Sequence, residues 1–247
     1  MENKDLHIDR AGTYSGGEFD NVSISGSGKI NGDVSCKNFS SSGTSKVEGK
    51  IICEKFKSAG SGKVYGNLEG EEIVACGYFK VKGDVKGENI CLFGMTKITG
   101  SVKGEKILGA GVLSVNKNIE AEEVHIEGSV YNKGIINAEK VMIECKNGNE
   151  DSSFHEIGAS VVTIKGCSEV AQSNVSRFLM GMFTGISTRG TVGHLIEGDT
   201  IYVEHAKIEI IRGEKITIGP HMEVGCVEYT QELQVSDTAV VKEIIKR

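Results

Sequence analysis

The sequence has a single proline and no tryptophan, and it contains no run of about 18 apolar residues that could span a bilayer. Its first ten residues, "MENKDLHIDR", lack the apolar core of a secretion signal. The G-X-Y period of collagen is missing as well. We therefore expect a folded, cytoplasmic chain with no integral membrane segment, and we expect any membrane association to come through partners.

A basic surplus and paired cysteine motifs are also lacking. The formal net charge of −6 disfavours nucleic-acid binding dominated by phosphate contacts, which needs a basic face. The seven cysteines follow no C-x-x-C spacing, which predicts a reduced protein with buried thiols. Valine, isoleucine and leucine are frequent, so disorder is not expected.

What the sequence does contain is glycine, 33 residues of it, and an internal repeat. The phrase "KVKGDV" at Lys80 has relatives that recur along the chain at a constant step of 17. They are "KINGDV" at Lys29, "KVEGKI" at Lys46, "KVYGNL" at Lys63 and "KITGSV" at Lys97. Because internal periods fix the architecture of a chain, this repeat decides the fold prediction.

Aligning the chain at this step places apolar side chains in columns. One column contains Ile30, Val47, Val64, Val81, Ile98 and Val115; a second contains Val34, Ile51, Leu68, Val85, Val102, Ile119 and Ile136; a third contains Phe39, Phe56, Ile73, Ile90, Ile107, Val124 and Val141. Two further columns are held mainly by glycine. Short alternating apolar pairs, β-branched residues and glycine-marked bends are typical of strands.

These patterns predict an all-β fold, a parallel β-helix or solenoid in which each repeat unit forms one coil. Residues one repeat apart then lie directly above one another, about 4.8 Å apart. The left-handed hexapeptide solenoid needs an aliphatic residue every six positions, whereas the aliphatic steps here are 4, 5 and 8. The usual rule for parallel crossovers favours a right-handed coil.

The register of the repeat breaks after Cys145, which predicts four regions. Residues 1–14 form a polar N-terminal tail, and residues 15–145 a regular solenoid of about seven coils. Residues 146–193 are an insertion, with a long hairpin or enlarged coil followed by a short apolar segment. Residues 194–247 form a second, shorter solenoid part, because "EGDTIYVEHAKIEII" is followed directly by its echo, "RGEKITIGPHMEVGC".

Two columns of charged residues are candidate docking surfaces along the outside of the coils. They are Lys29, Lys46, Lys63, Lys80 and Lys97, and Glu54, Glu71, Glu88, Glu105, Glu122 and Glu139. The lysine column could bind an anionic polymer or a membrane, and the glutamate column cations or a basic partner. The plainer interpretation is a solvated face that blocks sideways strand aggregation.

The apolar segment near residue 180 is a candidate self-association patch, with a cover over one end of the core as the alternative. Its residues are Phe178, Leu179, Met182, Phe183 and Ile186, spaced as on one helical face. We predict no catalytic, cofactor-binding or metal-binding residues and no enzyme activity. The six histidines lack metal spacing, Asp33 and Asp84 lie three coils apart, and Cys36 and Cys53 are expected to stack as small core residues.

The glycine-punctuated K-[IV]-x-G-x-[VIL] coils resemble those of the bactofilins, bacterial polymer-forming cytoskeletal proteins. The chain is similar above all to their longer, two-part Gram-positive relatives, since "RGTVGHLIEGDTIYVEHAKIEIIRGEKITIGPHMEVGCVEY" reads like the second part of those proteins. The resemblance covers about residues 20–245. It implies a right-handed β-helix that polymerises end to end without nucleotide and acts as a scaffold for cell-shape, wall-synthesis or motility machinery. It supplies no catalytic residues.

Three functions therefore stay open at the level of sequence. The first is a self-assembling scaffold that binds itself and protein clients at the cell envelope. The second is a monomeric solenoid whose charged columns bind a partner. The third, less favoured, is a β-helix carbohydrate-active enzyme, for which no pair of acids at catalytic spacing is evident.

Overall fold

The fold is a parallel β-solenoid without helices in the residues that the structure describes, as the repeat predicted. A computed structural model describes residues 4–145, 151–166 and 190–247. Its 17 strands are joined by parallel pairings. The chain divides into two compact units, Met1–Lys117 and Asn118–Arg247. The boundaries predicted at 145 and 193 both fall inside the second unit.

The described residues of the first unit form eleven strands, of 2 to 15 residues each. They are β1 (Leu6–Ile8), β2 (Gly12–Glu18), β3 (Asn21–Ile24), β4 (Ser27–Ser41), β5 (Thr44–Glu48), β6 (Ile51–Val64), β7 (Leu68–Val81), β8 (Val85–Lys86), β9 (Asn89–Ile98), β10 (Val102–Lys103) and β11 (Lys106–Val115). Ile30 pairs with Val47 and Val64 with Val81, so that residues one repeat apart are vertical neighbours. The predicted register is confirmed.

The N-terminal stretch predicted as a polar tail contains a strand and the start of another instead. Strand β1 pairs with β3, and Leu6 lies opposite Val22, 16 residues along the chain. Ile8 is buried at 1% exposure. The short coil escaped the alignment of the repeats because its step is shorter by one.

The core of the first unit consists of the predicted apolar columns. Ile30, Val47, Val64, Val81 and Ile98 are between 0% and 2% exposed. Fully burying one such side chain contributes about 1.5–3 kcal/mol to stability. Aromatic rings add to the stack: the centroids of Phe39 and Phe56 are 5.1 Å apart. Alternate residues point outward, which follows from the two-residue period of a strand.

Glycine is required at one bend of each coil because of close backbone approach. Gly94 has a φ of 94°, and a Cβ atom there would lie 2.5 Å from the carbonyl oxygen of Gly77. Gly77 and Gly111, one coil before and after, share this left-handed conformation. A side chain at these positions would be strained and would push the coils apart.

A second bend is fixed by side chains that bind the next coil. The carboxylates of Asp33 and Asp84 accept hydrogen bonds from the backbone N–H groups of Lys50 and Ser101, at 2.9 and 2.8 Å. Asn67 does the same for the N–H of Asp84 at 3.0 Å. Asp and Asn are common in turns because their short side chains bind nearby backbone. The aspartate column is therefore part of the coil-to-coil backbone network.

The second unit has longer strands and variable coil lengths. Its strands are β12 (Ile119–Glu144), β13 (Ser152–Lys165), β14 (Thr191–Glu204), β15 (Ala206–Ile218), β16 (Glu223–Val235) and β17 (Val240–Lys246). Strand β13 pairs in parallel with both β12 and β14. Of the two structures predicted for this stretch, the enlarged coil is the one observed, and the hairpin is not.

Inward columns continue through the second unit in spite of the changed spacing. Ile143, Ile164, Val203 and Ile218 pair in succession and are each 0% or 1% exposed. The step is 21 residues between the first two and 39 between the next two. The inward face therefore keeps its register although the steps along the chain differ.

Candidate functional site

The lysine column lies where the repeat placed it, on the outer face of the first unit. Lys29 pairs with Lys46, Lys46 with Lys63, Lys63 with Lys80, and Lys80 with Lys97. Each lysine precedes a buried residue of the first apolar column, so strand alternation turns its side chain outward. Five lysines therefore follow one another along the outer face, one in each successive coil.

Neighbouring groups partly neutralise this lysine column. The Glu48 carboxylate lies 2.6 Å from the ammonium of Lys46 and 3.3 Å from that of Lys29. The hydrogen bond from Lys46, followed by that from Lys29, lowers the pKa of Glu48. The Lys46 and Lys82 ammonium groups lie over the Tyr65 ring, 4.9 and 4.3 Å from its centroid. Both contacts are cation–π interactions, in which the negative face of the ring attracts the ammonium group.

The glutamate column is the more exposed of the two candidate surfaces. In the first unit, the backbone N–H of Glu88 donates to the backbone carbonyl of Glu71 at 3.0 Å. The backbone N–H of Glu105 donates to the backbone carbonyl of Glu88 at 2.9 Å. These three side chains and that of Glu54 are exposed. Glu122 and Glu139, in the second unit, are also exposed and line a shallow depression together with Glu123 and Lys140. The structure thus aligns carboxylates one coil apart.

Cys36 and Cys53 stack in adjacent coils as expected. They are paired residues of β4 and β6, both buried, and neither forms a disulfide. The hydrogen bond shared with Cys36, together with burial, raises the pKa of the Cys53 thiol. Because the thiolate is the reactive form of cysteine, this favours an inert core residue at neutral pH.

Sequence reasoning assigned no metal ligands, but the fold brings one mixed group of donors together within the described residues. His125, Glu127 and Glu144 each direct one ligand atom into a space where these atoms lie within 4.8 Å of one another. The signal was present in the sequence: Glu144 follows Glu127 by one repeat, and His125 lies two positions earlier on the same outward face. A search along the chain alone, without the coil period, overlooks it.

The predicted self-association patch, Phe178, Leu179, Met182, Phe183 and Ile186, lies outside the described residues. A different apolar surface occurs on the last coil. Val235, Val240, Ile244 and Ile245 are 40%, 60%, 52% and 37% exposed. Sequence reasoning assigned these residues to the second solenoid part without identifying the surface. Their exposure depends on whether a further coil stacks on theirs, which the residue pattern does not show.

No protein-family model and no solved structure matches the chain. A curated protein of Bacillus subtilis (strain 168), "Uncharacterized protein YhbF", is 27% identical over 95 residues. The match covers 38% of this chain and 35% of the relative, so the chain spans about a third of the length of the curated protein that it matches. Within the described residues, no helix has the length and apolarity needed to cross a membrane.

Proposed function

We propose that the protein is a non-enzymatic, self-assembling scaffold of the bactofilin kind. Its coils would join with those of further copies and hold cell-shape, wall-synthesis or motility proteins at the cell envelope. The repeated outer columns of lysine and glutamate would offer such clients the same charges at every coil. The proposal is supported by the solenoid fold and, above all, by the apolar surface of the last coil.

The observation that carries the proposal is the change of exposure along one inward column of the second unit. Ile196, Ile211, Val227 and Ile244 pair in succession. The first three are 0% exposed, whereas Ile244 is 52% exposed. Ile244 belongs to β17, which among the described residues pairs only with β16. An inward residue of this kind requires another layer above it to become buried.

The first coil of the chain provides a poorer surface for this contact. Ile8 is already 1% exposed, and the large apolar side chains Leu6 and Tyr14 are partly buried. An apolar surface gains most when it meets another apolar surface. The last coil of a second copy offers the inward residues Val235 and Ile244 the same residues in return, as in an isologous two-fold contact. The proposed first contact therefore joins last coil to last coil.

Backbone groups support the same contact. One edge of β17 bonds to β16, and its other edge has no strand partner in the described part of the chain. An open strand edge is a template for pairing with a further strand. A second copy would supply both the missing hydrogen bonds and the apolar cover.

The test is sedimentation velocity over a range of concentrations, combined with electron microscopy, on the full chain and two valine variants. Val235→Arg places a charge in the open surface, because Val235 continues the inward column of Ile218 and is 40% exposed. Val161→Arg places one on a flank where β12 and β14 already pair on both sides. Val161 is 39% exposed, so the two changes are made at sites of similar exposure. We expect assembly by the wild type and by Val161→Arg, and a shift towards monomers for Val235→Arg.

Either of two outcomes would contradict the proposal. A wild-type chain that stays monomeric at every concentration would remove the mechanism of the scaffold. Equal assembly of Val235→Arg and the wild type would place the contact elsewhere than on the last coil. Circular dichroism of all three proteins checks that the variants are folded.

A further inference from the structure

The group formed by His125, Glu127 and Glu144 is built by the solenoid itself. His125 and Glu127 are outward residues of β12, and the buried Val124 and Ile126 alternate with them. Glu144 is in the same strand but one repeat after Glu127, one coil further along. The period that stacks the core therefore also stacks these two carboxylates, beside the imidazole ring.

The distances in this group suit a shared ion better than direct hydrogen bonds. The Nε2 atom of His125 lies 3.9 Å from Glu127 Oε1 and 3.8 Å from Glu144 Oε2. A hydrogen bond between nitrogen and oxygen has a length of about 2.7–3.2 Å. Two ligands bound tetrahedrally to one zinc ion, each about 2.1 Å from it, are about 3.4 Å apart. Small side-chain rotations close the difference.

The imidazole nitrogen itself is placed to bind a ligand. His125 Nε2 is a buried atom with no hydrogen-bond partner among the described residues. Buried polar atoms without a partner are rare in folded proteins, and ion binding is one of their recognised explanations. The lone pair of a neutral imidazole is also the ordinary donor of histidine to metals.

The neighbouring lysine contacts one carboxylate oxygen of Glu144, and the other oxygen, Oε2, faces His125. The ammonium of Lys165 lies 2.7 Å from Glu144 Oε1, the oxygen that does not face His125. Groups that hold the second oxygen of a ligating carboxylate fix its orientation and are a regular part of metal sites. A cation at the centre would also offset the repulsion between two carboxylates stacked one coil apart.

We propose that His125 Nε2, Glu127 Oε1 and Glu144 Oε2 bind a divalent transition-metal ion, with Zn²⁺ as the fitting ion and solvent completing its coordination. An imidazole ligand selects this class over Mg²⁺ and Ca²⁺, which prefer all-oxygen sets. The ion would connect two successive coils of β12 on their outer face. The site is separate from the surface proposed for assembly, and its test does not depend on that proposal.

The test measures Zn²⁺ binding to the full chain by competition with a chromophoric chelator. His125→Gln and Glu127→Gln remove single donors while nearly conserving size. His194→Gln is the matched control, because His194 Nδ1 also lies beside a carboxylate, 2.6 Å from Glu209 Oε2. We expect one Zn²⁺ per chain and at least about 10-fold weaker binding for each site variant, the scale on which metal sites respond to lost interactions. The control should bind as the wild type does.

Nitrogen-15 NMR of the histidine side chains supplies a direct readout. Zn²⁺ should shift the Nε2 resonance of His125 and leave that of His194 unchanged, and Mg²⁺ at the same concentration should shift neither. The proposal is overturned if the wild type binds no Zn²⁺, since His125 would then be an imidazole beside two carboxylates and nothing more. It is overturned equally if His125→Gln and His194→Gln bind Zn²⁺ alike.

Discussion

The two units solve the same stacking problem with different coil lengths. In the first unit, Gly77, Gly94 and Gly111 mark the same bend once in every repeat, each with a positive φ. In the second unit, His205 and His221 have φ values of 51° and 54°, so the left-handed positions are not reserved for glycine. Close approach of one backbone to the next occurs in both units, as at Gly94 and Gly213, but among the described residues only the first unit repeats it at a constant step with a glycine of positive φ.

Charge is also arranged differently along the outer columns. In the first unit like charges stack, as in Lys29, Lys46 and Lys63. In one column of the second unit signs alternate: Glu197 pairs with Arg212, and Arg212 with Glu228. Stacked like charges repel by about 1 kcal/mol per pair in water, while alternating charges attract. Both units have ion pairs between coils, such as Lys37–Asp20 in the first, but the lysine column of the first unit adds a like-charge repulsion that the Arg212 column does not have.

The largest expected effect comes from a charge placed inside the covered core. Val81 is 0% exposed and has paired residues above and below, Ile98 and Val64. Val81→Asp would bury an unpaired carboxylate, so we expect a loss of at least about 4 kcal/mol or failure to fold. Denaturant unfolding followed by circular dichroism measures it.

Ile244→Asp is the matched change at the open end of the second unit. Because Ile244 is already 52% exposed, we expect it to cost less than about 1 kcal/mol. Equal losses for the two variants would contradict the difference between a covered and an open coil.

The regular half of the fold was predictable because its determinants repeat in the sequence. Ile30, Val47 and Val64 are one period apart, and a period of this length leaves little choice beyond stacked coils. The coil that contains Leu6 was missed because its step is 16 residues. The parallel pairing of β13 could not be told from a hairpin, since apolar alternation is the same in both.

The candidate sites were predictable only in part, for a related reason. The lysine column follows directly from the period, and the structure places it as expected. Glu48, which partly neutralises it, and Tyr65, whose ring lies against Lys46, come from another column and reach the lysines through side-chain length and rotamer. Ile244 looks like any inward residue in the sequence, because its exposure depends on what lies beyond its own coil.

An intermediate effect should come from the bends. Gly94→Ala would bring a Cβ to 2.5 Å from the Gly77 carbonyl oxygen and strain a backbone with a φ of 94°. We expect a loss of about 2–3 kcal/mol, from strain of about 1–3 kcal/mol plus the contact. Thermal unfolding measures the difference.

Gly158→Ala in the second unit is the control for this bend. A Cβ at Gly158 would meet only Asn137 Oδ1, at 3.8 Å, which is an ordinary contact. We expect a change within about 0.5 kcal/mol. Similar losses for Gly94→Ala and Gly158→Ala would mean that backbone contact at the bends does not set the spacing of the first unit.

The smallest effect should appear as a pH dependence of the second unit. Arg212 Nε donates to Glu228 Oε2 at 2.9 Å, and Arg247 Nη2 lies 2.6 Å from the same oxygen. The hydrogen bond from Arg212 lowers the pKa of Glu228 below its ordinary value of 4.5. A carboxyl whose pKa is lower in the folded state stabilises the fold at neutral pH, and this contribution is lost as the pH falls below about 4.5 and through the folded pKa.

Glu228→Gln should therefore be less stable than the wild type at pH 7, and the two should converge as the solution is acidified. Chemical unfolding between pH 7 and pH 3 gives both curves. Arg212→Gln and the double variant complete a mutant cycle, in which the losses should be less than additive because the two side chains share one interaction. Parallel curves for Glu228→Gln and the wild type at all pH values would show that alternating charges do not stabilise the coils of the second unit.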